Sequence, residues 1–154
     1  MAQAAPYVAR IVWPLVSNYG PAPAEVKSYY RSLLKSAMRD LERFVQPLAS
    51  RAALDRAAAL RIGDPRGYTW NDQPTKMKDP ERTIFHWDHI IPVSDLAAAC
   101  LDLPDAQFAD IEAIISKARV VWILRDEDRR LRKYGRGDDP FKNYRDAGVE
   151  LIGI

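Results

Sequence analysis

The clearest pattern in the chain is a three-four spacing of apolar positions between residues 24 and 46. Val26, Tyr29, Tyr30, Leu33, Leu34, Ala37, Met38, Leu41, Phe44 and Val45 fall on one side of a helical wheel, which predicts an amphipathic helix with one buried face. Pro47 ends it, since proline has no N–H to continue the ladder and its ring clashes with the preceding turn. The Ala-rich stretch 48–62 predicts a second helix, stopped by Gly63-Asp64-Pro65. Ahead of both, Tyr7 to Val16 is apolar without a clean period and reads as a short strand or an apolar arm. Residues 63–80 carry Gly63, Pro65, Gly67, Pro74 and Pro80 and read as a long loop, a feature that inside a domain is usually functional or mobile. Tyr68 and Trp70 in that loop either cover the core, the reading put first, or stand exposed as stacking residues.

The second half alternates strand and helix signals. Thr83 to Trp87 predicts a short strand, and Ser94 or Asp95 is placed to cap a helix running to Cys100. A further helix fits Asp105–Lys117, with Phe108, Ile111, Ala113, Ile114 and Ile115 as its apolar contacts. Arg119 to Leu124 (Arg-Val-Val-Trp-Ile-Leu) is β-branched and aromatic, the composition of a pleated, half-buried strand. Asp126 can cap a helix from Glu127 to about Tyr134, which Gly135 would end. A last helix, Phe141–Ala147, and an apolar segment, Val149–Ile152, close the chain. The expected class is α+β within a single domain, 1–154, as the length fits one core. It comprises a helical N-terminal part (1–62), a strand–strand–helix core at 83–136 with a helix inserted between the strands, and a packed C-terminal tail (137–154).

Composition changes this picture little. Hydrophobic residues make up 47% and charged residues 29% of the chain, values of an ordinary globular protein, and no apolar run approaches the length that spans a bilayer. The first eighteen residues do not read as a signal peptide. Cys100 is the one cysteine, so an intrachain disulfide and a cysteine-based zinc cluster are excluded. It reads as a small core residue, and the setting expected from it is reducing and cytoplasmic. The formal net charge of +2 does not by itself imply a nucleic-acid partner, but its distribution is uneven. Lys117, Arg119, Arg125, Arg129, Arg130, Arg132, Lys133 and Arg136 crowd one segment, opposed only by Asp126, Glu127 and Asp128. Lys27, Arg31, Lys35, Arg39 and Arg43 also recur at four-residue steps, and a solvated helix face is preferred for them over a stripe for the DNA backbone.

The candidate chemistry sits in one strand. The two histidines of the chain, His86 and His89, flank Asp88. In an extended strand His86 and Asp88 share a face and His89 points the other way, while Pro92 ends the strand just beyond. A carboxylate beside an imidazole is what metal-assisted hydrolysis requires: the carboxylate holds a divalent cation, the near-neutral imidazole takes a proton from water, and the cation polarises the phosphate.

The run Trp87-Asp88-His89-Ile90-Ile91-Pro92-Val93-Ser94 resembles the DHIxP signature of the HNH, or ββα-metal, nucleases. The resemblance implies a β-hairpin and helix clasping one metal ion, with Asp88 as metal ligand and His89 as general base. Ile123 to Arg130 resembles that family's strand-to-helix junction, which makes Asp128 the second ligand, with Asp126 as the alternative. The bracing Asn of the family would fall near Arg119, where none occurs, the gap between Asp88 and Asp128 is longer than in compact members, and the stapling cysteines are absent. The resemblance implies an oxygen-ligated divalent ion for which Mg²⁺ is the best fit. Mn²⁺ or another transition ion is the alternative, with His86 then a further ligand; otherwise His86 packs on the strand face. Arg125, Arg129, Arg130, Arg132 and Lys133 would neutralise phosphates of the nucleic acid or, failing that, pair with the neighbouring acids. The function so implied is endonucleolytic hydrolysis of DNA, with RNA as substrate, or a non-cleaving nucleic-acid-binding module of the same descent, as the alternatives. No membrane partner is expected. A homodimer is compatible with the family, although the sequence marks no interface.

Overall fold

A computed structural model describes residues 4–79, 81–103, 105–133 and 139–153. In chain order the elements are α1 (Ala5–Ser17), α2 (Ala24–Asp40), β1 (Leu48–Ser50), α3 (Arg51–Ala59), β2 (Phe85–His89), α4 (Val93–Leu101), α5 (Phe108–Ile115), β3 (Val120–Leu124), α6 (Arg125–Asp128), α7 (Pro140–Asp146) and β4 (Leu151–Ile152). The class is mixed α+β, with one four-stranded sheet among the described residues. The chain divides into two units, one of Met1–Val45 with Ile91–Ala118 and the other of Gln46–Ile90 with Arg119–Ile154. The 1–62 segment is therefore shared between them, and both helices that intervene between β2 and β3 belong to the first unit.

That first unit is helical. Tyr7–Val16 is neither strand nor arm: it lies within α1, whose buried positions are Ala5, Ala9, Val12 and Val16. Small and β-branched residues at steps of four, three and four form a buried helical stripe, and packing against α2 and α5 outweighs the weak helix propensity of the β-branched positions. α2 buries Leu34 and Met38 and tightens into a 3-10 turn at Leu41–Phe44, so the regular helix stops short of residue 46. α5 begins at Phe108, the first of its apolar positions, rather than at Asp105, because Gln107 and Asp110 form a capping box that fixes its first turn there. Ser94 does not cap α4: it bonds Asp95, and Pro92 takes the cap position.

The second unit carries the sheet, in the order β2-β3-β1-β4. The helix expected over 48–62 is split. Leu48 and Ala49 pair parallel with Val121 and Trp122 of β3, and Ser50 turns the chain into α3 by accepting the N–H of Ala53 at 3.0 Å, an N-cap bond. β1 also pairs antiparallel with β4. β2 and β3 form the longest ladder, antiparallel, from Phe85↔Leu124 to His89↔Val120.

Alternation along this ladder gives the sheet two different faces. On one, Trp87 pairs with Trp122 and the rings meet edge to face at 4.6 Å. Trp70 of the long loop stacks on Trp122 at 6.1 Å, and the buried indole N–H of Trp122 donates to the carbonyl of Tyr68 at 2.9 Å. Trp70 is thus a cover of the core, with the guanidinium of Arg82 over its ring at 4.5 Å. On the other face, Ile90, Val121 and Ile123 join Leu131, Tyr144 and Val149 in an apolar cluster. The C-terminal segment is therefore part of this unit's core. His86 and Asp88 lie on that second face.

Candidate metal centre

The centre is built on the β2–β3 ladder and on the turn of helix that follows it without a break. His86 is paired with Ile123 and Asp88 with Val121, so both side chains emerge from the same face at the edge of the Ile90–Tyr144 cluster. β3 runs directly into α6. The Arg125 N–H donates to the Ile84 carbonyl at 2.8 Å, extending the ladder by one bond into the helix start. Glu127 anchors the first turn. It is 5% exposed, and one of its oxygens, Oε2, accepts both the Leu124 N–H at 2.8 Å and the Ser50 hydroxyl at 2.6 Å. One more residue along, Asp128 is delivered next to the strand histidine.

Three side chains meet here. His86, Asp88 and Asp128 each place one ligand atom within 4.8 Å of the others. His86 Nε2 is 3.3 Å from Asp128 Oδ1, and the Tyr144 hydroxyl donates to Asp88 Oδ2. The Asp128 side chain is only 8% exposed, but its carboxylate is well supplied with donors. Lys133 Nζ reaches Oδ1 at 2.5 Å and the Asp128 carbonyl at 3.1 Å, and Arg125 Nη1 reaches Oδ2 at 3.4 Å.

The same guanidinium nitrogen is 2.6 Å from His86 Nδ1. Because a guanidinium has donors only, Nδ1 must be the acceptor, which leaves the proton of a neutral ring on Nε2, facing Asp128. Burial pushes the His86 pKa below its ordinary value. The positive charges of Arg125 and Lys133 act the same way and, with burial, outweigh the opposing pull of Asp128 and Asp88. The ring is accordingly neutral at neutral pH, and its 3.3 Å approach to Asp128 is not an ion pair.

The donor set fits a divalent cation. Metal–oxygen distances of about 2.1 Å keep ligand atoms within roughly 4.2 Å of one another, so the present spread closes with small side-chain movements. Two carboxylates and a neutral imidazole suit Mg²⁺ or, with the nitrogen included, Mn²⁺ and its neighbours.

The other residues singled out from the sequence are placed as follows. Asp126 turns outward, its side chain 86% exposed and paired with Arg129 at 2.9 Å, so of the two helix carboxylates it is Asp128 that lies beside His86. His89 is the last residue of β2, and alternation sends it to the Trp87 face, away from His86 and Asp88. Of the five basic residues, Arg125 and Lys133 are at the centre. Arg130 Nη1 donates to the Ala147 carbonyl at 2.8 Å. The main chain of Arg132 is held by both ends of the Asn143 amide. The helix expected from Glu127 to about Tyr134 is a single turn, Arg125–Asp128, with Leu124 rather than Asp126 at the cap position; Tyr134, Gly135 and Arg136 lie outside the described residues. Three contributors escaped the sequence reading: Tyr144, Glu127 and Asn143. Only Glu127 left a trace, an acid three residues after a strand end, the spacing at which a side chain can reach back to a helix cap.

Among the described residues no helix is long and apolar enough to cross a membrane. Set against protein-family models, curated proteins and solved structures, the chain matches none of them.

Proposed function

We propose that this chain is a metal-dependent endonuclease of the HNH kind, hydrolysing DNA phosphodiester bonds with a divalent cation held by Asp88, Asp128 and His86. The observation that carries the reading is the convergence of these three side chains at the junction of an antiparallel strand pair and the helix that follows it. The DHIxP-like run at Asp88–Pro92 and two cationic side chains at the same spot, Arg125 and Lys133, support it. A bound Mg²⁺ or Mn²⁺ would polarise a phosphate oxygen and lower the pKa of water. The chain's own part is to hold two carboxylates and a neutral imidazole on a rigid ladder, with two cations ready for the phosphate charge. His86 can ligate or take a proton once Arg125 leaves Nδ1, because until then Nε2 carries the ring proton and Nδ1 is occupied. His89, to which the sequence resemblance gives the base role, lies on the opposite face of β2.

That position of His89 favours one second reading: a module that binds metal and nucleic acid without cleaving. Nicking of supercoiled plasmid with Mg²⁺, Mn²⁺ or EDTA, with RNA run in parallel, separates the two. Cleavage that requires the cation and is lost in Asp88→Asn, Asp128→Asn and His86→Ala is expected. Loss in His89→Ala with full activity in His86→Ala would return the base role to His89. Inert wild type with every cation, combined with retained binding to the plasmid, would establish the non-cleaving reading.

A further inference from the structure

Two cations already sit on the candidate metal ligands, and both sit where they would have to move. Lys133 Nζ contacts Asp128 Oδ1, the same oxygen that lies 3.3 Å from His86 Nε2. Arg125 Nη1 bridges Asp128 Oδ2 and His86 Nδ1. The ring chemistry makes Arg125 and metal ligation by His86 exclusive in either geometry. If Nδ1 ligates, Arg125 occupies the ligand atom. If Nε2 ligates, the ring proton moves to Nδ1, which can no longer accept from a group that only donates. Charge leads to the same place. Two cationic side chains already lie against Asp128, so a divalent ion added to that arrangement meets like charge in a partly buried setting. Neither cation is locked in. The Lys133 and Arg125 side chains are 52% and 37% exposed, and both have flexible stems that can turn toward solvent.

Resting on the nuclease reading, we infer that Lys133, with Arg125, is a built-in counter-cation pair that holds the ligands in place before the divalent ion binds and then passes to the phosphate backbone. The consequence is coupling. The cations compete with the metal when no nucleic acid is present, and a phosphate that accepts them removes the competition. Linkage makes the effect reciprocal, so metal and nucleic acid each tighten the other's binding. Lys133 is in this sense a positioning and regulatory residue, not a group in the bond-breaking step.

The test is Mn²⁺ affinity of the full chain, read from the free-ion electron paramagnetic resonance signal, with and without a short phosphorothioate duplex. Wild type should bind Mn²⁺ about fivefold or more tightly with the duplex than without it, the lower range of ordinary coupling between sites. Lys133→Met should bind Mn²⁺ about fivefold more tightly than wild type in the absence of duplex, and the duplex should add little. Lys133→Arg, which keeps the charge, should behave as wild type. So should Lys142→Ala, whose partner is the exposed Asp146. Unchanged or weaker Mn²⁺ binding in Lys133→Met, or a wild-type affinity indifferent to the duplex, overturns the inference while leaving the metal centre standing. No Mn²⁺ uptake by wild type overturns the metal centre and the inference together.

Discussion

Glu127 offers a sharp test of how the centre is supported, because its two hydrogen bonds converge on one oxygen. Oε2 accepts from Ser50 Oγ and from the Leu124 N–H, Glu127 is nearly fully buried, and Ser50 is 0% exposed. In Glu127→Ala both donors lose their acceptor in a place water reaches poorly. An unsatisfied buried donor costs about 1–3 kcal/mol, so the pair is worth about 4 kcal/mol, before roughly 0.8 kcal/mol for each buried methylene removed. Glu127→Gln is different. Its amide oxygen can stand where Oε2 stands and receive both bonds, so the cost should stay at about 1 kcal/mol or less. Urea unfolding followed by tryptophan fluorescence reads this directly, since Trp70, Trp87 and Trp122 all lie in the unit that Glu127 braces. With a slope near 2 kcal/mol/M, the Ala variant should lose about 2 M in midpoint and the Gln variant about 0.5 M or less. Equal losses in the two variants, or an Ala loss under about 0.5 M, would refute the idea that Oε2 alone anchors the strand-to-helix junction.

Three further outcomes follow from the same geometry. Cys100 is fully buried, and burial pushes its thiol up to about 11; a disulfide reagent at pH 8 should leave it unmodified in the native protein and react at once in urea. His86 has its pKa lowered by burial, so between its ordinary and its folded value the unfolded chain binds a proton that the folded chain does not. Stability should therefore fall as pH drops below about 6.5, and His86→Gln should remove that part of the slope in a urea-midpoint series against pH. Tyr144→Phe takes from Asp88 the hydroxyl that donates to it. Its loss of stability should be about 1 kcal/mol, and a neutral result would mean that the contact adds nothing beyond the packing of the ring.

The sequence carried the local features that depend on neighbours within a few residues. Val26 through Val45 announced a helix by period, Arg119–Leu124 a strand by branching and aromaticity, and the two-residue step from His86 to Asp88 a shared strand face. Local patterns failed where a distant partner decided the outcome. Leu48-Ala49-Ser50 belongs to an Ala-rich stretch that suits a helix, yet β3, more than seventy positions on, offers a parallel edge, and pairing there satisfies backbone groups that a longer helix would satisfy only within itself. Tyr7–Val16 erred in the opposite direction. Its β-branched residues suit a strand in isolation, but α2 and α5 present a surface that a helical stripe fills.

At the candidate centre the division is the same. Residue types and order brought out Asp88 and His86, which share a strand face, and the family resemblance added Asp128, with Asp126 as its alternative. The choice between Asp126 and Asp128 needed the α6 turn to be fixed, and Glu127 fixes it through a hydroxyl from β1, an element far away in sequence. The side of the sheet reached by His89 followed from strand alternation, but that the strand continues as far as His89 followed from its pairing with Val120. Tyr144 could be placed beside Asp88 only by the fold, since 56 positions separate them. Sequence by itself determined which chemical groups are available and which share a local face, because backbone periodicity acts over a few residues. Which of them meet was decided by tertiary structure alone, because burial and long-range pairing select one arrangement from the many that local preferences allow.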